Sequence, residues 1–179
     1  VRGEYMENLA REFPYDAFDD VLQANAEYAR TFRNQLLTGQ ALRGLAIVTC
    51  IDSRIAPLEI VGMAAGDAKI LRNAGARVTD DVLRTLVLAV HLLGVTRVLV
   101  MPHTDCRMAS ADEEQMHSAI YEASGVDSRS LEIRTVSDQL QALRSDVLRV
   151  RTFPFLPAEL IVGGAIFDVH TGNLTTVAA

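Results

Sequence analysis

Two apolar runs constrain this chain more than any other feature. Leu45-Ala46-Ile47-Val48-Thr49-Cys50-Ile51 and Arg97-Val98-Leu99-Val100-Met101 are short, rich in β-branched residues and nearly free of polar side chains. A strand covered on one face alternates apolar and polar residues, whereas continuous runs like these suit strands buried on both faces, as in a parallel sheet. Between them, Thr79-Asp80-Asp81 reads as a helix start, with threonine as cap and acids at the positive end of the helix dipole. Val82, Leu83, Leu86, Val87, Val90 and Leu93 mark one helical face, and Gly94 closes it. Strand, helix and strand in this order form a βαβ unit with a right-handed crossover.

The flanking segments extend this pattern. Asp19-Asp20 opens a helical period that runs to Gly39, so residues 1–40 are expected to form an N-terminal arm. Its apolar residues are numerous enough to pack on its own domain or on a second subunit. Leu58 to Ala65 reads as a short helix, and Ala68 to Arg72 as a second strand ending in Asn73-Ala74-Gly75. Residues 110–123 and 137–150 read as two further helices, parted by Gly125, with Ser137 as a cap for the second. Glu159 to Phe167 is apolar but interrupted by Gly163-Gly164, and Asp168 to Thr175 reads as a hairpin around Thr171-Gly172. The expectation is one α/β domain over residues 1–179. It has a central, mostly parallel β-sheet flanked by helices, an N-terminal helical arm and a C-terminal β-hairpin.

Composition enters mainly to exclude. A net charge of −6 with no cluster of basic residues argues against a nucleic-acid partner. No apolar run approaches the roughly 18 residues a membrane span needs, and Val1 to Tyr5 has no signal-peptide core, so a cytoplasmic location is expected. Lys69 is the only lysine, an arginine bias that suits a GC-rich bacterial genome. Two cysteines in a cytosolic chain of this size point to burial, catalysis or metal binding more than to a structural disulfide.

Those two cysteines sit where each apolar run ends. Cys50-Ile51-Asp52-Ser53-Arg54 follows the first run and His103-Thr104-Asp105-Cys106 the second. Ligand sites in open α/β sheets lie beyond the carboxyl ends of the strands, so the fold would bring the motifs together. If the chain stays extended past Ile51, Cys50 and Asp52 face one side, with Arg54 in reach. A turn would curl His103 and Cys106 onto one centre. Two thiolates and an imidazole select zinc over magnesium or calcium, and three ligands leave a fourth position open, as in catalytic zinc sites. A lone buried cysteine is usually only a small apolar residue, and either motif alone would be weak. His91, His117 and His170 read as packed or solvated side chains.

Cys50-Ile51-Asp52-Ser53-Arg54, Arg72-Asn73-Ala74-Gly75 and His103-Thr104-Asp105-Cys106 resemble, in order and spacing, the signature of the β-class carbonic anhydrases, notably the smaller bacterial members. The resemblance implies a zinc enzyme interconverting carbon dioxide and bicarbonate. It implies Cys50, His103 and Cys106 as zinc ligands, Asp52 and Arg54 as the dyad beside the metal, and Ala74 and Gly75 in the substrate pocket. In some members the aspartate takes the fourth zinc position and shuts the site, so Asp52 is also a metal candidate. An open site at high pH and a closed one at low pH is the matching expectation. The family further implies a homodimer or tetramer with its pocket near a subunit interface. Arg107 departs from the family's usual glycine after the second cysteine, which puts rate and substrate in question. The rival readings are a zinc hydrolase of carbon disulfide or carbonyl sulfide, and a zinc-binding paralogue with a sensing or assembly role. A dithiol redox protein fits less well, since the Cys-x-x-Cys spacing is missing.

Overall fold

A computed structural model of the chain describes residues 13–33 and 36–179. In it the first apolar run is strand β1 (Leu45–Cys50), buried at every position. β1 lies between β2 (Ala68–Asn73) and β3 (Arg97–Met101) and is parallel to both. β4 (Ile161–Phe167) continues the parallel sheet beside β3, and β5 (Leu174–Val177) pairs antiparallel with β4. The order is β2-β1-β3-β4-β5, the mostly parallel sheet and terminal hairpin expected from the sequence.

Successive residues of β1 point to opposite faces, which divides the core. Ala46 and Val48 join Val98, Val100 and Val162 under two helices, α3 (Asp80–Leu92) and α5 (Gln139–Arg151). Leu45 and Ile47 face the other side, with Met101, Phe167, Met108 and both cysteines. Burying each such Leu, Ile or Val side chain is worth roughly 1.5–3 kcal/mol, so β1 anchors both layers. Thr49 is the polar exception, and its hydroxyl donates to Met101 O at 2.8 Å.

Several boundaries differ from the sequence reading, each for a local reason. Helix α1 (Tyr15–Thr31) begins directly after Pro14, whose missing N–H costs nothing at a helix start. It ends well before Gly39, because Phe32 is already extended at ψ 127°. The expected helix over 58–65 is a single turn, α2 (Pro57–Ile60), and Gly62 at φ +64° turns the chain away. α4 (Glu113–Ser124) starts later than expected, at a capping box in which Asp112 and Gln115 satisfy each other's amides. For α5 the cap is Asp138 in place of Ser137, its carboxylate accepting from Gln141 N at 3.0 Å. Thr79 caps α3 as expected, and Gly125, expected to part the two helices, does so as the left-handed C-cap of α4. The chain separates into two compact units at Leu37 and Thr38, the first holding α1 and the second the sheet. None of the described residues forms a helix long and apolar enough to cross a membrane.

Gly163-Gly164 does not interrupt β4. A side chain at Gly164 would meet Leu143 and Val147 of α5 at 3.1 Å, so glycine there sets how closely helix and sheet approach. At Gly163 nothing lies within 4 Å. Gly164→Ala is therefore expected to destabilise by about 1–3 kcal/mol through overpacking, and Gly163→Ala to stay within about 0.5 kcal/mol. Urea unfolding of both variants checks this, and equal effects would contradict it.

Candidate metal centre

Parallel pairing aligns the ends of β1 and β3 at one edge. Thr49 is opposite Met101, so Cys50 leaves β1 just where β3 runs into Pro102-His103. His103 is held further by β4. Phe167 N donates to Pro102 O and Thr104 N to Phe167 O, each at 2.9 Å. The chain then turns at Asp105, φ +55°, and Cys106 opens a short 3-10 turn over Arg107–Ala109.

The result is one buried group. Cys50, His103 and Cys106 are 4%, 0% and 7% exposed, and one donor atom from each lies within 4.8 Å of the others. The two sulfurs are 4.0 Å apart as free thiols. His103 Nδ1 faces Thr104 O at 2.8 Å. A carbonyl can only accept, so Nδ1 carries the proton and Nε2 holds the lone pair. Nε2 is buried without a hydrogen-bond partner. An orphaned acceptor of this kind is costly to bury, and here it faces two thiols. A soft divalent metal would satisfy it, so the residues fit zinc.

The surroundings stabilise these donors. Gly75 N donates to Cys50 Sγ at 3.4 Å. Gly75 needs to be glycine twice over. Its φ is +80°, and a Cβ would meet Met108 Cβ at 3.2 Å. Of the two expected pocket residues, Gly75 touches the site, while Ala74 is exposed to solvent. Asn73 closes their loop, accepting from Arg77 N at 2.8 Å and donating to Arg77 O at 2.7 Å. Burial pushes the Cys106 thiol pKa up, although the amides of Met108 and Ala109 pull the other way.

Asp52 and Arg54 reach the site by a different path from the expected extension. The chain turns after Ile51, with Ile55 N donating to Asp52 O at 3.1 Å. Arg54 then grips Asp52 side-on, Nε to Oδ1 at 3.0 Å and Nη2 to Oδ2 at 2.7 Å, while its backbone N donates to Oδ1 at 2.9 Å. These bonds hold the Asp52 carboxyl well below the usual carboxylate range, so it stays ionised. Asp52 Oδ2 comes to 3.8 Å from His103 Nε2, beside the three clustered donors. The arginine is 42% exposed, and an ion pair so open to water adds roughly 1 kcal/mol or less to stability. Its value is the position it gives the carboxylate.

Three residues here escaped the sequence reading. Arg72 donates to Cys50 O at 2.7 Å, Ile55 O at 3.2 Å and Asp52 O at 2.6 Å, tying down the whole loop. Gln139 donates to His103 O at 2.7 Å from the start of α5. Asp105 accepts from Arg54 Nη1 at 2.8 Å. Arg72 and Asp105 lay inside noted motifs, but nothing in spacing announces a contact to backbone carbonyls or across loops. Arg107 is exposed, and its backbone avoids positive φ, so no glycine is required there. His91 bonds Phe155 O and His117 bonds Ser128 Oγ; neither joins the site.

Comparison with known proteins agrees with this geometry. The family model described as carbonic anhydrase matches residues 45–174. The chain is similar to β-carbonic anhydrase 1 of Mycobacterium tuberculosis, 33% identical over 159 residues that span 89% of this chain and 96% of that protein. It is also similar to a carbon disulfide hydrolase of Acidithiobacillus thiooxidans, 26% identical over 74% of this chain and 76% of that one. Among solved structures, the carbonic anhydrase of Streptococcus mutans superposes with a TM-score of 0.84 at 34% identity, covering 94% of this chain and all of that one (100%). With a family match over most of its length and relatives this similar end to end, the chain belongs to the β-class carbonic anhydrase family.

Proposed function

We propose that this protein catalyses the reversible hydration of carbon dioxide to bicarbonate and a proton, with zinc held by Cys50, His103 and Cys106. The observation that carries the reading is the buried, unpartnered His103 Nε2 facing two free thiols. Zinc held by these three residues would supply a Lewis acid that acidifies water. The chain's own residues do the rest. Thr104 O fixes the His103 tautomer, and the amides of Gly75, Met108 and Ala109 stabilise the sulfurs. Asp52, kept ionised by Arg54, can only accept, so beside the three donors it would hold and orient the proton of a hydroxyl.

Hydrolysis of carbon disulfide or carbonyl sulfide would need the same donors. Carbon dioxide is favoured because relatives named carbonic anhydrase match at 33–34% identity over most of both chains, whereas the carbon disulfide hydrolase of Acidithiobacillus thiooxidans matches at 26% over 74% of this one. The backbone at Arg107 needs no glycine, which favours an active enzyme over an inactive paralogue. A homodimer is proposed from α1. None of its residues is buried, although Tyr15, Phe18, Val21, Leu22 and Tyr28 are large and apolar. Packing residues 1–40 on a partner subunit would cover that surface. A cytoplasmic location is proposed because two free thiols persist best in a reducing compartment.

Carbon dioxide hydration and sulfide release, followed side by side across pH, test the activity. Hydration that strengthens toward alkaline pH is expected. Sulfide release without hydration would replace the substrate, and zinc without any turnover would remove the activity. Arg54→Ala is expected to lose about a hundredfold in turnover, the scale of one positioned acid–base group, with zinc retained. Loss of zinc would assign Arg54 another role. Since the raised Cys106 pKa leaves its thiol protonated at neutral pH, binding must expel that proton. Zinc affinity, measured by chelator competition, should rise by about tenfold per pH unit for each proton released, and fall on acidification. Sedimentation should report a mass of two chains or more, and a monomer would refute the dimer.

A further inference from the structure

Arg54 faces two ways. Toward Asp52 it presents Nε and Nη2, at 3.0 and 2.7 Å. Toward the loop between His103 and Cys106 it presents Nη1 and Nη2, donating to Asp105 Oδ2 at 2.8 Å and to Asp105 O at 3.1 Å. Most of the guanidinium's five N–H donors are thus committed.

Asp105 is placed for this contact. Its backbone is left-handed at φ +55°, a conformation that asparagine, aspartate and glycine tolerate. Glycine or asparagine would meet that backbone need equally well. What aspartate adds is charge, and although its side chain is 63% exposed, the carboxylate is turned back onto Arg54.

The atom with a choice is Asp52 Oδ2. It accepts from Arg54 Nη2 at 2.7 Å and lies 3.8 Å from His103 Nε2. A short swing would carry it from the guanidinium to the metal position. Were Arg54 tethered only to Asp52, the guanidinium could follow that swing, and little would oppose it. With Asp105 gripping the opposite side, Asp52 must break its charge-assisted bonds in order to leave.

We propose that Asp105 is a positioning residue that anchors Arg54 to the ligand loop and thereby holds Asp52 off the metal position. This rests on reading Cys50, His103 and Cys106 as the metal ligands. It also ties the dyad to the 103–106 loop, so that the loop bearing two ligands carries the brace for the carboxylate beside them.

Cobalt(II)-loaded protein titrated with azide, followed by visible absorption, tests this. Azide is a small anion that takes an open coordination position. Asp105→Asn keeps a residue suited to the backbone and removes the charge. It is expected to retain one cobalt per chain and to bind azide about tenfold more weakly, within the coupling range of contacting groups, because Asp52 now competes for the position. Asp105→Gly should do the same and guards against a folding fault peculiar to asparagine. In the Asp52→Asn background the change at position 105 should no longer weaken azide binding, an outcome that a merely loosened loop would not produce. Azide affinity unchanged in both single variants, weakening that persists in the Asp52→Asn background, or loss of cobalt would overturn the proposal. No carbon dioxide turnover is read, so an inactive protein would count against the proposed function and leave this result intact.

Discussion

The site depends on the register between β1 and β3. Thr49 pairs with Met101, and the Thr49 hydroxyl donates to the Met101 carbonyl across the buried interface. That register places Cys50 and His103 side by side. A slip of one residue would turn every side chain of β1 to the opposite face, driving Ala46 and Val48 out of the layer under α3 and α5 and carrying Cys50 out of line with His103. The slip is prevented because both faces of β1 are buried. Its two sets of side chains fill differently shaped layers, and neither set can be exchanged for the other without voids or clashes.

Once the strands are in place, arginine does much of the local work. Arg72 gathers the carbonyls of Cys50, Asp52 and Ile55, so the loop after β1 has a defined path without regular structure. Arg77 donates to Asp146, a buried carboxylate on α5, and closes the loop that carries Gly75. Arg54 positions Asp52. In each case a planar group with several donors meets several acceptors at once, which a lysine ammonium could not do with the same geometry. The contacts add little to stability where they are open to water, but they give each donor near the metal position one preferred place.

The site also shows a division of labour between backbone and side chain. Thiol, imidazole and carboxylate supply the chemistry, while amides and carbonyls set their states. Thr104 O selects the His103 tautomer, Gly75 N–H meets the Cys50 sulfur, and the Arg54 amide supports Asp52. At Gly75 this close approach requires glycine, since φ is +80° and a Cβ would meet Met108 Cβ at 3.2 Å.

Much of this was legible in the sequence. Continuous β-branched runs announced buried parallel strands, the helical period between them announced the crossover, and the soft donors at both strand ends announced a zinc-type group. Those features are local, and periodicity and residue chemistry report local facts directly. The sequence also marked Asp52 and Arg54, but for a reason the fold replaced, since a turn and not an extended strand brings them in. Helix ends were less legible. Asp112 and Asp138 cap where neighbouring residues were equally plausible, and Phe32 ends α1 with no stop signal. Only the tertiary structure decided that Arg54 is shared with Asp105, that Arg72 holds three carbonyls, and that Gly164 sets the seating of α5. Such contacts join residues far apart in the chain, and no pattern along the chain encodes the distance between them.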